Sequence, residues 1–203
     1  MRYNPDIHHR RSIRLKHYDY SLNGMYFVTI CTQDRAMLFG EIVGADSISA
    51  QNPTSAQMVL NDAGKMIETL YQDAMHQFHG ISSVKHILMP NHFHGIIVID
   101  RADMESGTDM AGADMESGAD MESAPTLSGV IQSFKRNTTI RYIDAVKEGK
   151  LPPFNKKIWQ RNYFEHIIRS ECEYQRIWQY IDENPSRWAE DRYHPECTLF
   201  TYI

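Results

Sequence analysis

The chain has 203 residues, of which 42% are hydrophobic and 23% charged, with a formal net charge of −5. Such a chain suits one globular domain, residues 1–203, and holds no apolar run near the roughly 20 residues of a membrane span. Three scattered cysteines without a C-x-x-C argue against a disulfide framework or thiolate zinc site and, with no apolar leader behind the basic start, point to the cytoplasm.

Residues 8–17 read His-His-Arg-Arg-Ser-Ile-Arg-Leu-Lys-His. Arg10, Arg11, Arg14 and Lys16 suit phosphate contacts, with Tyr18 and Tyr20 as stacking partners, although a solvated arm has the same composition. After Asn23-Gly24, residues Met25 to Thr32 form a β-branched and aromatic strand. Residues 44 to 58 are small and polar and read as a loop. From Asn61 the period changes: Ala63, Met66, Ile67, Leu70 and Ala74 make the stripe of an amphipathic helix ending near His79-Gly80, with Met66 in the core.

Val84 to Met89 and His92 to Ile99 are strands joined by the Pro90-Asn91 turn. A two-residue loop sets Met89 opposite His92, Ile87 opposite His94 and His86 opposite Gly95. The second of these strands is apolar on both faces, which makes it central. Residues 102 to 123 repeat Ala-Asp-Met-Glu-Ser and carry seven acidic residues and no basic one. They read as a linker, and the rest of the chain is then slightly basic.

Leu127, Val130, Ile131, Phe134 and Thr138 define a second helix, with Lys135, Arg136 and Arg141 off its stripe. Those cations track a phosphate backbone or simply face water. Ile158 to Ile168 reads as a short strand or an irregular lead into the last helix, and Glu165 and His166 within it are structural before they are catalytic. That helix carries a capping box, Ser170 with Glu173, and stops at Asn184-Pro185. Tyr174, Ile177, Trp178 and Ile181 form its buried stripe, and Tyr180 and Asn184 stand one turn apart on the flank.

Chemistry concentrates in two places. His92 and His94 are i and i+2 on one strand, so both imidazoles project from one face, where they suit a divalent metal. His86 points the other way. On the last helix a phenol and an amide border the buried stripe and reach one point above a neighbouring sheet.

Three blocks then carry a resemblance: Met-Pro-Asn-His-Phe-His-Gly-Ile-Ile at 89–97, Trp-Gln-Arg-Asn-Tyr-Phe-Glu-His-Ile-Ile-Arg at 159–169, and Tyr-Ile-Asp-Glu-Asn-Pro at 180–185. In that order they resemble the REP-associated tyrosine transposases, single-tyrosine members of the HUH single-strand DNA transposases. The acidic repeats depart from that family. The resemblance implies a ferredoxin-like α+β fold with a central antiparallel sheet, His92, His94 and Asn184 as metal ligands, and Tyr180 as nucleophile. It further implies Mg²⁺ or Mn²⁺ as cofactor, single-stranded or hairpin DNA as partner, and a monomer rather than a dimer exchanging its tyrosine helix. Arg161, in the second block, joins Arg10, Arg11, Arg14, Lys16, Lys135 and Arg136 as a candidate DNA contact. Two other functions fit the same residues: a hairpin-binding protein that does not cleave, and a metal hydrolase that uses water and tolerates Tyr180→Phe.

Overall fold

The computed structural model describes residues 22–44, 56–100 and 126–197. The basic stretch 8–17 and the acidic run 102–123 lie outside the described residues. The elements are β1 (Gly24–Cys31), β2 (Gly40–Val43), β3 (Gln57–Leu60), α1 (Asp62–Gln77), β4 (Ile81–Leu88), β5 (His92–Ile99), α2 (Leu127–Lys147), β6 (Phe164–Ile168) and α3 (Glu171–Glu183). Short 3₁₀ turns occupy Gln33–Arg35 and Trp188–Glu190.

Strands β4, β5, β1 and β6 lie side by side in that order, and every neighbouring pair is antiparallel. Apart from the separate β2–β3 ribbon, the chain runs β-α-β-β-α-β with its first and third strands in the middle. This is the ferredoxin-like α+β arrangement. β5 is central because it is buried along nearly its whole length, which only a strand flanked and covered on both faces achieves. Its hairpin with β4 has the expected register, Ile87 opposite His94 and His86 opposite Gly95.

Alternation along the strands sorts the side chains onto two faces. Tyr26, Val28 and Ile30 of β1, with Phe93, Ile97 and Ile99 of β5, pack under α1 and α2 in the main core. Thr29 and Cys31 of β1 pair with His94 and His92 and turn to the opposite face, which α3 and the chain after it cover. Gly95 belongs to this division. A Cβ there would stand 2.8 Å from the Phe93 ring and 3.1 Å from the Tyr71 hydroxyl, so the glycine lets those two rings close up beside β5.

The helix caps are local and clear. The Asn61 side chain accepts from Gly64 N at 2.9 Å, a bond of the kind that contributes about 1 kcal/mol. Ser170 accepts from Glu173 N at 3.2 Å. The Glu173 carboxylate returns to Arg169 N, one residue outside the cap, and also holds His166 at 2.6 Å. Thr126 caps α2 through Gly129 N.

Several expectations need correction. Gln57 and Met58 are strand rather than loop: with β2 they form a four-residue ribbon that buries little and so leaves a weak pattern. β4 begins at Ile81, because Ser82 and Ser83 sit on an edge strand where polar residues are tolerated. On α1 it is Tyr71 and Met75, not Leu70, that complete the buried face. On α3 only Ile181 is fully buried, while Tyr174, Ile177 and Trp178 are half-covered, since α3 lies against the sheet as a single helix. No described helix is long and apolar enough to cross a membrane.

Candidate active site

β5 sets His92 and His94 side by side with ring centroids 4.5 Å apart, both fully enclosed. Each ring is oriented by a partner at Nδ1. His92 Nδ1 lies 2.9 Å from Asn91 Oδ1. The Asn91 amide nitrogen donates to the carbonyl of Tyr193 at 2.8 Å and to that of Arg35 at 3.3 Å, so its oxygen is the atom facing His92. An oxygen there can only accept, which puts the His92 proton on Nδ1 and leaves Nε2 as a lone pair. His94 Nδ1 lies 2.8 Å from Thr29 Oγ1, and His94 Nε2 lies 3.2 Å from the Tyr180 hydroxyl. Either hydroxyl can be the donor here: where the phenol donates to Nε2, Nδ1–H donates to Thr29 Oγ1. Both histidines therefore turn Nε2 toward one point, with the far nitrogen engaged as in metal-binding histidines.

α3 and its continuation supply the other wall. The Asn184 amide nitrogen donates to Asp191 Oδ2 at 3.4 Å, and Asp191 Oδ1 takes Tyr193 N at 2.6 Å. Asn184 Oδ1 and His92 Nε2 are both buried with no hydrogen-bond partner among the described residues. One ligand atom each from His92, His94 and Asp191 lies within 4.8 Å of the others. The Tyr193 ring lies tilted at 4.6 Å from His92, and Phe27 stacks at 5.3 Å from His94. Two imidazole nitrogens, an amide oxygen and a nearby carboxylate form a donor set that fits a divalent cation.

Electrostatics agree with that fit. Burial pushes His92 down to about 3 and His94 well below its usual range, so both are neutral at physiological pH. Burial raises Asp191. Tyr180 is pushed up to about 12, first by burial and then by the charge of Asp191. Its side chain is nevertheless 38% exposed, so one edge of the phenol stays open to solvent beside the buried histidines.

The remaining candidates lie elsewhere. His86 is on the opposite face and pairs with Glu68 at 2.5 Å. Tyr174 packs against Trp178 with ring centres 5.7 Å apart. Lys135 Nζ is held by the carbonyls of Gln160 and Asn162, each at 3.0 Å, with burial lowering its pKa to about 8. Arg136 and Arg161 line a groove of about 510 Å³ on the outer side of α2, together with Lys135, Lys156 and Lys157 and with no acidic residue. Arg10, Arg11, Arg14 and Lys16 fall outside the described residues.

Asp191, Asn91 and Thr29 escape a sequence reading. Asn91 is visible there only as a turn residue, and Asp191 carries no local signal at all.

No family model matches the chain. A Haemophilus influenzae protein described as uncharacterized is 35% identical over 192 residues, which is 94% of this chain and 96% of that one. Among solved structures, a REP-associated tyrosine transposase bound to a REP hairpin is similar at a TM-score of 0.47 and 17% identity, over 88% of this chain and 74% of that chain.

Proposed function

We propose a function for a chain that belongs to one family with the uncharacterized Haemophilus influenzae protein: it is a metal-dependent single-strand DNA endonuclease and strand transferase of the tyrosine HUH type, acting in DNA transposition on hairpin-forming DNA. One observation carries the reading. A half-exposed tyrosine places its hydroxyl 3.2 Å from His94 Nε2, beside two buried ligand atoms, His92 Nε2 and Asn184 Oδ1, that have no hydrogen-bond partner among the described residues. The first and third of the sequence blocks that resemble the transposases contribute these same residues.

The chemistry follows from what each residue offers. Tyr180 is the nucleophile: its Oη–phosphorus bond forms as the P–O3′ bond breaks, and the phenol proton is balanced by the 3′-OH released. The product is a 5′-phosphotyrosine, and a returning 3′-OH reverses the exchange and joins strands. One phosphoester replaces another, so no external energy source is needed. His92, His94 and Asn184, with Asp191 alongside, would hold Mg²⁺ or Mn²⁺, which when bound would supply the polarisation of a phosphate oxygen that a phenol of high pKa requires. Thr29 and Asn91 hold the imidazoles in their ligating tautomers. Phe27 and Tyr193 wall the site against water.

Tyr180 sits above the histidines of its own chain, which supports a competent monomer. The basic groove on α2 suits the backbone of a DNA stem.

The test is incubation of labelled DNA hairpins, including those flanking the protein's own gene, with Mn²⁺ and a denaturing gel. A covalent band is expected, with the 5′-phosphate on the peptide containing Tyr180. Tyr180→Phe removes only the hydroxyl, so binding persists while cleavage and the band vanish; Tyr174→Phe keeps both. Full cleavage by Tyr180→Phe favours a water-using nuclease. Binding with no adduct from the wild type on any hairpin favours a module that does not cleave.

A further inference from the structure

Beside Tyr180, between β6 and α3, runs a second groove of about 350 Å³. Phe27 lines it from β1, Phe164 and His166 from β6, and Glu173, Arg176, Ile177 and Tyr180 from α3. We infer that this groove is a nucleobase subsite: it takes the base next to the scissile phosphate and sets the sequence preference of the cut. The inference rests on the proposed function for where the phosphate lies, and on the groove alone for what binds.

The groove's own chemistry points to a base. Phe164 is 46% exposed on an edge strand, where an aromatic ring of that size gains little from folding. Its companions supply what a nucleotide uses. The Phe164 and Phe27 rings offer apolar surface for stacking, which accepts any base. The Arg192 guanidinium lies 5.9 Å from the Phe164 ring centre, at the margin between this groove and the histidines. His166 is fixed by Glu173 Oε1 at 2.6 Å, and Glu173 is itself anchored by Arg169 N, so the imidazole is a positioned polar edge rather than a mobile one. A base's hydrogen-bonding edge needs that order. Arg176 on the rim faces a flanking phosphate.

Position adds the rest. Tyr180 lines the groove and also contacts His94, so a phosphate at its hydroxyl leaves an attached base one sugar away, at the mouth of this pocket. Ile177 narrows the space from the α3 side. Phe27 meets the Tyr180 ring edge-on at 6.0 Å, which makes the groove and the reacting centre parts of one wall.

The probes are single-stranded oligonucleotides identical except for the base on either side of the cut. Binding is read by fluorescence anisotropy in the Tyr180→Phe background, and cleavage by gel with Tyr180 intact. Phe164→Ala should weaken binding about tenfold without changing its salt dependence, and Phe164→Trp should restore it. Arg176→Ala should lower the log–log salt slope by about one. His166→Ala should flatten the preference among bases while the stacking contribution remains. The wild type binding all flanking bases equally, Phe164→Ala keeping the wild-type affinity, or His166→Ala keeping the wild-type preference, overturns the subsite. These outcomes separate from those of the cleavage reading. An adduct formed with no base preference sinks only the groove. Base-selective binding lost in Phe164→Ala, with no adduct from the wild type, sinks only the cleavage.

Discussion

Phe93 and His94 are neighbours on β5, equally enclosed, and face opposite worlds. Phe93 looks toward α1 and α2, where Tyr71 lies at 4.5 Å and Phe134 at 5.8 Å, and its burial stabilises the fold. His94 looks toward α3, between Thr29, Phe27 and Tyr180, and its burial adds little to stability, because the hydrogen bonds to Thr29 and Tyr180 only offset the water that the imidazole gave up. The first face is thick and apolar. The second is covered by one half-buried helix and the segment after it, and it holds His92 Nε2 and Asn184 Oδ1, both buried without a hydrogen-bond partner among the described residues. Stability and chemistry are thus carried on opposite sides of the same strand, and the apolar side keeps the polar one rigid.

Substitutions across β5 break this comparison most sharply. Phe93→Ala should cost about 3–5 kcal/mol in denaturant unfolding, because a buried ring leaves a cavity among rings that cannot close in. His94→Ala should change metal-free stability far less while abolishing cleavage. Equal losses from the two would mean that the site face is also load-sharing core.

Metal should make the polar face stabilising. At a free concentration of 100 times Kd, Mn²⁺ should stabilise the protein by about 2.7 kcal/mol, seen as a rise in Tm. The rise should disappear in His92→Ala and persist in His86→Ala, whose ring lies on the far side.

Acid should weaken the polar face next. His92 is lowered in the folded protein to about 3, so the unfolded chain takes up the proton first as pH falls. The native fold is then favoured fully above pH ~6.5 and loses about 2 kcal/mol on this residue's account by pH ~5, in the absence of metal. Chemical denaturation of the apo protein across that range measures it. A flat profile would contradict the enclosed, neutral imidazole.

Asp191→Asn keeps the shape of the wall and removes its charge. Mn²⁺ binding, read by calorimetry, should weaken about tenfold, with little change in fold. The smallest effect is expected from residues 102–123, whose acidic repeat has no apolar periodicity. Replacing them with a short Gly/Ser connector should shift stability by under about 0.5 kcal/mol and leave cleavage intact. A larger shift would show that the run packs on one of the two faces.

Much of this plan is readable in the chain. The i, i+2 spacing of His92 and His94, the register given by a two-residue turn, the Ser170 cap and the one-turn step from Tyr180 to Asn184 are local periodicities, and local geometry fixes them. The β2–β3 ribbon is not readable, because four-residue strands that bury little leave no pattern. Nor is the exchange of Leu70 for Tyr71 on α1: both fit a helical stripe, and the space beside Gly95 chooses between them. Lys135 reads as a free cation off the α2 stripe, yet three carbonyls from residues 160–162 surround it.

The amino-acid order, then, set which side chains share a face and how the elements begin and stop, since backbone geometry repeats every two or 3.6 residues. It left open which faces would meet. Tyr180 reaches His94 across 86 positions, and Asn91 reaches the carbonyl of Tyr193 across 102. The direction of each imidazole lone pair depends on such distant partners, because a neutral histidine offers a free nitrogen only where its other nitrogen has found an acceptor. The two helices on one face of the sheet and the single helix on the other complete that choice by deciding which polar atoms lose water and which keep an open edge.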